Sequence, residues 1–356
     1  MALSLVLAAG SAPLAAYATA PADPAGSLDD GLCAALAQQT TVAGNAAVLH
    51  QLRRQARAGR AAAQLCLASV AASRGEYKQA AHWFSVAAHA GNALAQFNLG
   101  VLYDQGRGVA HDPWQAAHWY RRAARQGMPY AQYNLASLYD RGTGVAPDPV
   151  RAFRWYRAAA EQGLAVAAYN LGVLYHAGIA TTRDDAAAVR WLKAAAEQSL
   201  AAAQYDLAVL YDTGQGTTRD AAQALRWYRA AAKQGLAQAQ NNLAVMYRAG
   251  DGVAPDAHQA AHWFRLAAEQ GSPSAQYNLG VMVAHGEGVA QDVVQADAWL
   301  ALAAAAPGPG RVVRHRAQAL KTRLEAHMSA AQRQRARHVI DDWSAGQQRF
   351  IDVDKK

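Results

Sequence analysis

The sequence predicts an all-α protein made by stacking one helix–turn–helix unit many times over, and three observations lead there. Seven of the nine tryptophans, Trp83, Trp119, Trp155, Trp191, Trp227, Trp263 and Trp299, follow one another at intervals of 36 residues with no insertion. Around them one frame returns: Leu135, Tyr139, Gly142, Gly144, Asp148, Ala152, Trp155, Ala159 and Gly163 become Leu243, Tyr247, Gly250, Gly252, Asp256, Ala260, Trp263, Ala267 and Gly271. The composition is alanine-rich, with 52% apolar and 17% charged residues, which is neither a disordered tail nor an ordinary charged enzyme surface. Self-similarity at a fixed period means one supersecondary unit stacked on its neighbours.

Taken in chain order, the first 22 residues carry no charged side chain and include the run "LSLVLAAGSAPLAA". They predict a signal peptide over residues 1–18, cut after the Ala16-x-Ala18 pair and before Thr19, although the first base of the chain is Arg53 and a basic n-region is missing from this start. The "DGLC" stretch ahead of Cys33 lacks the residues of a lipid-attachment site, so no lipid anchor is expected. Residues 19–58 read as an N-terminal helical cap and linker. Residues 59–92 form a degenerate first repeat, with "SRGE" in place of a double-glycine loop.

Residues 93–306 hold six regular repeats. Ala131, Leu135, Leu138 and Tyr139 share one face of a first helix, here helix A. Gly142 and Gly144 permit a stop and a turn. Asp148 caps helix B, with Pro149 in its tolerant first turn, and Ala152, Trp155, Tyr156 and Ala159 carry its apolar face. The tryptophans are therefore expected in the core. The Trp191 repeat departs from the frame with Ala180 and Ser199 at glycine positions, and the Trp299 repeat with Val283 for Tyr. After "PGPG", residues 311–345 predict two capping helices, joined by a Ser329/Gln332 capping box, and residues 346–356 a frayed tail.

The pattern "AQYNLGxxYxxGxGVxxDxxxAxxWYxxAAxxGx" resembles the Sel1-like repeat, a longer-looped relative of the tetratricopeptide repeat. The resemblance implies a right-handed α/α superhelical solenoid that serves as a non-catalytic interaction scaffold. It also implies uses in the bacterial envelope: regulation of a signalling protein, assembly of a secretion or polysaccharide machine, or contact with a host.

Catalytic spacing is absent: there is no H-E-x-x-H, G-x-S-x-G, P-loop or C-x-x-C. Some cysteine-rich Sel1-like proteins act on β-lactams, but none of the twelve serines here has Lys at +3, and no repeat carries its own cysteine pair. No enzyme activity, cofactor or metal is expected. His258 and His262 lie at i, i+4, yet His82, His118 and His262 all precede the repeat Trp, which makes the position a feature of the frame. Cys33 and Cys66 leave two readings open, a bridge stapling the cap to the first repeat or two buried thiols. Residues 311–356 hold 11 bases and 5 acids, a surface for an acidic partner or polyanion; without interleaved aromatics, nucleic acid is not expected.

Opposite the core stripe of helix A runs an apolar and amide-bearing column. Phe97, Tyr133, Tyr169, Tyr205 and Tyr277, with Val101, Val173, Val209, Val245 and Val281, are expected to line a concave floor, and Asn98, Asn134, Asn170, Asn242 and Asn278 to run beside them, with Asp206 in the fourth place. An asparagine row can both donate to and accept from an extended peptide backbone; alternatively each Asn ties its hairpin to the next. The sequence thus predicts a monomeric periplasmic or secreted scaffold that binds a protein segment on helix A. The alternatives are a β-lactam-active enzyme and a polyanion binder working through the C-terminal helices.

Overall fold

A computed structural model describes residues 46–307 and 310–353, and all regular structure among them is helical. The expected signal peptide, the cap ahead of residue 46, and Cys33 lie outside the described residues. The helices are α1 (Ala46–Arg57), α2 (Ala61–Ser73), α3 (Tyr77–His89), α4 (Ala93–Gln105), α5 (Pro113–Arg125), α6 (Pro129–Arg141), α7 (Pro149–Glu161), α8 (Ala165–Ala177) and α9 (Asp185–Glu197). They continue with α10 (Ala201–Thr213), α11 (Ala221–Lys233), α12 (Ala237–Ala249), α13 (Ala257–Glu269), α14 (Pro273–His285), α15 (Val293–Ala305), α16 (Arg311–Glu325) and α17 (Ala330–Val353). The chain forms two compact units, one ending at Ala194 and the other starting at Ala195, inside α9.

The 36-residue period resolves into a 13-residue helix A, a seven-residue loop, a 13-residue helix B and a three-residue link. Aspartate starts each regular helix B: the Asp148 carboxylate accepts the Arg151 N–H at 2.9 Å, and Asp112, Asp184, Asp220, Asp256 and Asp292 do the same in their repeats. The same residue closes the loop, since Asp148 N–H donates to Tyr139 O at 3.0 Å. Gly142 ends α6 in the left-handed region at φ 67°.

Gly144 is needed for a different reason. A Cβ there would lie 2.2 Å from Pro113 O, at the start of the preceding helix B, so the loop of one repeat rests directly on the backbone of the last. The Trp191 repeat has Ala180 at this position, at φ 63°, and Ser199 at φ 65°. Its loop is held instead by side chains: His176 Nδ1 lies 2.7 Å from Asp185 Oδ1, and Arg183 Nη2 donates to Asp185 Oδ2 at 2.8 Å. The Arg183 guanidinium, helped by His176 and outweighing partial burial, holds the Asp185 carboxyl below the usual range.

In the first unit the core gathers Phe84, Leu99, Leu102 and Trp119 around small alanines, and Leu52, Cys66, Leu67 and Val70 beneath Trp83. In the second, Phe264, Leu279 and Met282 form the main cluster, and Leu300 and Ala303 meet Ala317 of α16. The degenerate first repeat is the hairpin of α2 and α3, whose short turn follows from the missing double-glycine loop. The capping box forms reciprocally, with Ser329 N–H donating to Gln332 Oε1 at 2.8 Å and Gln332 N–H to Ser329 Oγ at 3.2 Å. Helix α17 runs on to Val353, past the end expected at 345.

Candidate functional site

The residues that lock neighbouring hairpins together are glutamines. Buried Gln96 donates from Nε2 to Ala88 O at the end of the previous helix B, at 3.0 Å, and accepts at Oε1 from Gln126 Nε2 of its own hairpin at 2.8 Å. Gln132 with Gln162, Gln204 with Gln234, and Gln240 with Gln270 repeat the arrangement. The Nε2 bonds give the helix-terminal carbonyls of Ala88, Ala124, Ala196 and Ala232 a second donor beside the N–H of the link that follows. The recurring "AQ" ahead of the aromatic was the available signal, overlooked because glutamine is mostly exposed in proteins.

The neighbouring asparagine row is bonded less completely: Asn134 lies against the Tyr120 hydroxyl, Asn170 against those of Tyr133 and Tyr156, and Asn242 against those of Tyr205 and Tyr228, each in the preceding repeat. Asn98 and Asn170 are buried, and the Oδ1 of each accepts no hydrogen bond. Asn134, Asn242 and Asn278 are half-buried, and Asn278 Nδ2 reaches Asn241 Oδ1 only at 3.4 Å. Asn241, which takes the ring's place in its repeat, donates to Asn242 Oδ1 at 3.2 Å.

The ring column departs from the expected exposed floor. Phe97, Tyr133 and Tyr169 are 2%, 7% and 3% exposed, while Tyr205 and Tyr277 are half-buried. Three of these rings meet a partner ring on helix B, Phe97 packing on Tyr120 at 5.9 Å between centroids, Tyr133 on Tyr156 at 5.7 Å, and Tyr205 on Tyr228 at 5.8 Å. Conversely Trp155 and Trp191, expected in the core, are only half-buried, whereas Trp119 and Trp227 are buried. Of the valines, Val101, Val173 and Val209 are buried and Val245 is 45% exposed.

Above these rings lies a polar layer. The Tyr120 and Tyr156 hydroxyls are buried and make no hydrogen bond of ordinary geometry. Burial pushes both well above the usual tyrosine range; Asn134 and Asp104 lie close enough to influence the first, Asp140, Ser137 and Asn170 the second. Half-buried Asp104, Asp140 and Asp212 repeat at one position of helix A, and burial raises each above the ordinary carboxylate value. Arg141 opposes that shift at Asp104 and Asp140, and Arg219 opposes it at Asp212. In the first two regular repeats of the first unit, an asparagine and an aspartate of helix A thus lie beside a helix-B tyrosine hydroxyl over a rigid aromatic base.

Such a face can recognise a backbone; nothing in it resembles a nucleophile activated by a base. No three His, Cys, Asp or Glu side chains among the described residues come together as a metal site. Several C-terminal bases act inside the protein: Lys321 pairs with Glu325 at 2.5 Å, and Arg333 donates to Glu325 O and Met328 O at 2.9 and 2.6 Å. Cys66 is buried and disulfide-bonded, and Cys33 lies outside the described residues. No described helix is long and apolar enough to cross a membrane.

The Sel1 repeat family matches residues 71–92, 93–128, 129–164, 165–200, 201–236, 237–272 and 273–307. A crystal structure of a Sel1 repeat protein from Oxalobacter formigenes is similar at 32% identity and a TM-score of 0.59, over 67% of this chain and 96% of that one. The structure of c5321, a protective antigen of uropathogenic Escherichia coli displaying an SLR fold, is 25% identical with a TM-score of 0.44, over 83% of this chain and 94% of its own. No relative among curated proteins matches the chain.

Proposed function

The chain belongs to the Sel1-repeat family, and from that premise we propose that it is a non-catalytic adaptor that holds an extended segment of a partner protein along its helix-A face. Sel1 repeat proteins are generally protein-interaction scaffolds. The observation that carries the reading here is the contrast between the two amide rows. The glutamines tie hairpin to hairpin at both of their amide ends, whereas Asn134, Asn170 and Asn242 reach the tyrosines of the preceding repeat, and the Oδ1 atoms of Asn98 and Asn170 remain without a donor. In the first unit contact falls to half-buried Asn134, with Phe97, Tyr133, Tyr169, Asn98 and Asn170 as the supporting layer; in the second it falls to half-buried Tyr205, Asn242, Tyr277 and Asn278.

The proposed setting is the bacterial envelope, where the protein regulates or assembles a partner. The charge-free apolar run at residues 1–22 supports export. The bonded Cys66 supports an oxidising compartment, and Cys33, the chain's one other cysteine, is its proposed partner.

Photo-crosslinking from single sites tests the face. A photoreactive phenylalanine at Ser137 or Asn242 is expected to capture a partner that the same group at exposed Arg154 or Arg190, on the outer side of helix B, does not. Equal capture from both sides removes the helix-A assignment.

A further inference from the structure

The first unit carries a second feature at its N-terminal end, away from the asparagine row. A cleft of about 420 Å³ opens between α1 and α3, lined by Arg53, Arg57, Lys78, Gln79, His82 and Trp83. Arg53 and Arg57 stand one turn apart on α1, and Lys78 and His82 one turn apart on α3, so two helices point cationic or ionisable groups into one space. Trp83 closes the back. It is half-buried, packs on the Leu52, Cys66 and Val70 cluster from inside, and meets the His82 ring edge-on at 5.0 Å.

Among the described residues this charge has little acidic counterpart nearby in the sequence. Residues 46–89 contain six Lys and Arg and a single acid, Glu76. Some exposed arginines elsewhere find carboxylates, as Arg157 does Glu161, Arg183 does Asp185 and Arg248 does Glu287, but those stand singly and not as a cluster across two helices. Arg53, Arg57 and Lys78 form no ion pair or hydrogen bond among the described residues. Like charges one turn apart repel by a few tenths of a kcal/mol, and a third cation across the cleft adds to that. The arrangement is relieved by an anion, and guanidinium pairs suit the planar, two-oxygen geometry of a carboxylate.

We propose that this cleft binds an acidic polypeptide segment, two or three carboxylates engaging Arg53, Arg57 and Lys78 while an adjoining apolar side chain lies on Trp83. The site is a shallow, open cleft with only six lining residues and not a long cationic track, which fits a short peptide element better than a polymer backbone. It is independent of the helix-A face, so a partner contacting both gains avidity without new contacts at either.

The test uses the full chain and a labelled hexaglutamate peptide with blocked ends, followed by fluorescence anisotropy at low and at physiological salt. Wild type is expected to bind, with affinity falling as salt rises. The Arg53→Gln, Arg57→Gln, Lys78→Gln triple variant is expected to bind at least tenfold more weakly. A control triple on α16, Arg311→Gln, Arg316→Gln, Arg323→Gln, removes the same charge and is expected to stay within twofold of wild type. All six residues are exposed, so melting curves should superimpose. Equal losses in the two triples would reduce the effect to net charge and overturn the site, as would absence of wild-type binding. Displacement of the peptide by inorganic phosphate at equal or lower concentration would overturn the assignment to carboxylates.

Discussion

The repeats carry two aromatic columns, tryptophan on helix B and phenylalanine or tyrosine on helix A, and their burial reverses what periodicity suggests. Trp155 and Trp191 are half-buried, while Phe97, Tyr133 and Tyr169 are 7% exposed or less. The difference lies in what each ring meets. Phe97 and Tyr133 each face a tyrosine of their own helix B across a narrow hairpin of alanines, so they are enclosed locally. A tryptophan's exposure instead varies from repeat to repeat: Trp119 and Trp227 are 5% and 6% exposed. Apolar spacing identifies a face of a helix; it does not say whether that face ends in a core or in a groove.

The comparison is broken most forcefully by truncating one ring from each column. Trp119→Ala and Tyr133→Ala should each lower stability by about 3–5 kcal/mol in chemical denaturation, the cost of removing a buried aromatic, with the half-buried Tyr277→Ala costing clearly less. A loss below about 1 kcal/mol for Tyr133→Ala would return that ring to the surface. Next in size is the irregular loop: Ala180→Gly relieves a left-handed alanine and should raise stability by about 1 kcal/mol. If it does not, the His176, Asp185 and Arg183 cluster already absorbs the strain. Smaller still, Tyr156→Phe removes a buried hydroxyl that makes no bond, so its stability should fall within about 0.5 kcal/mol of wild type.

The smallest effect is a pH dependence. Burial raises Asp104 and Asp140, so the folded state holds their protons more tightly than the unfolded chain does. Stability then declines as pH rises from about 4, the ordinary carboxylate value, through the raised folded value, and stays lower above it. Replacing both by asparagine should flatten that decline in melting curves between pH 3 and 7, to roughly the extent that burial outweighs Arg141. A steeper decline would mean that Arg141 dominates instead.

Much of the fold was legible in the sequence because its signals are local. The period of Trp83 to Trp299, the glycine pairs, the aspartate caps and the Ser329/Gln332 box each act within one hairpin or one turn, and each has its expected counterpart in the structure. The candidate site was legible only as a set of positions. Its depth depends on Tyr120, Tyr156 and Tyr228, which belong to a different helix, and the task of tying repeats fell to glutamines whose partners lie eight and thirty residues away. The basic cleft was hidden for a related reason. The small net charge of residues 1–310 averages away six bases and one acid concentrated between residues 46 and 89.

The central claim is that the asparagine row keeps hydrogen-bonding capacity for a partner while the glutamine row holds the stack. It is tested most directly by comparing wild type with an Asn134→Ala, Asn242→Ala, Asn278→Ala variant for retention of the partner crosslinked from Ser137, with folding followed by circular dichroism. The account predicts an unchanged melting curve and binding at least tenfold weaker. Full binding by a fully folded variant, or loss of the fold itself, would contradict it.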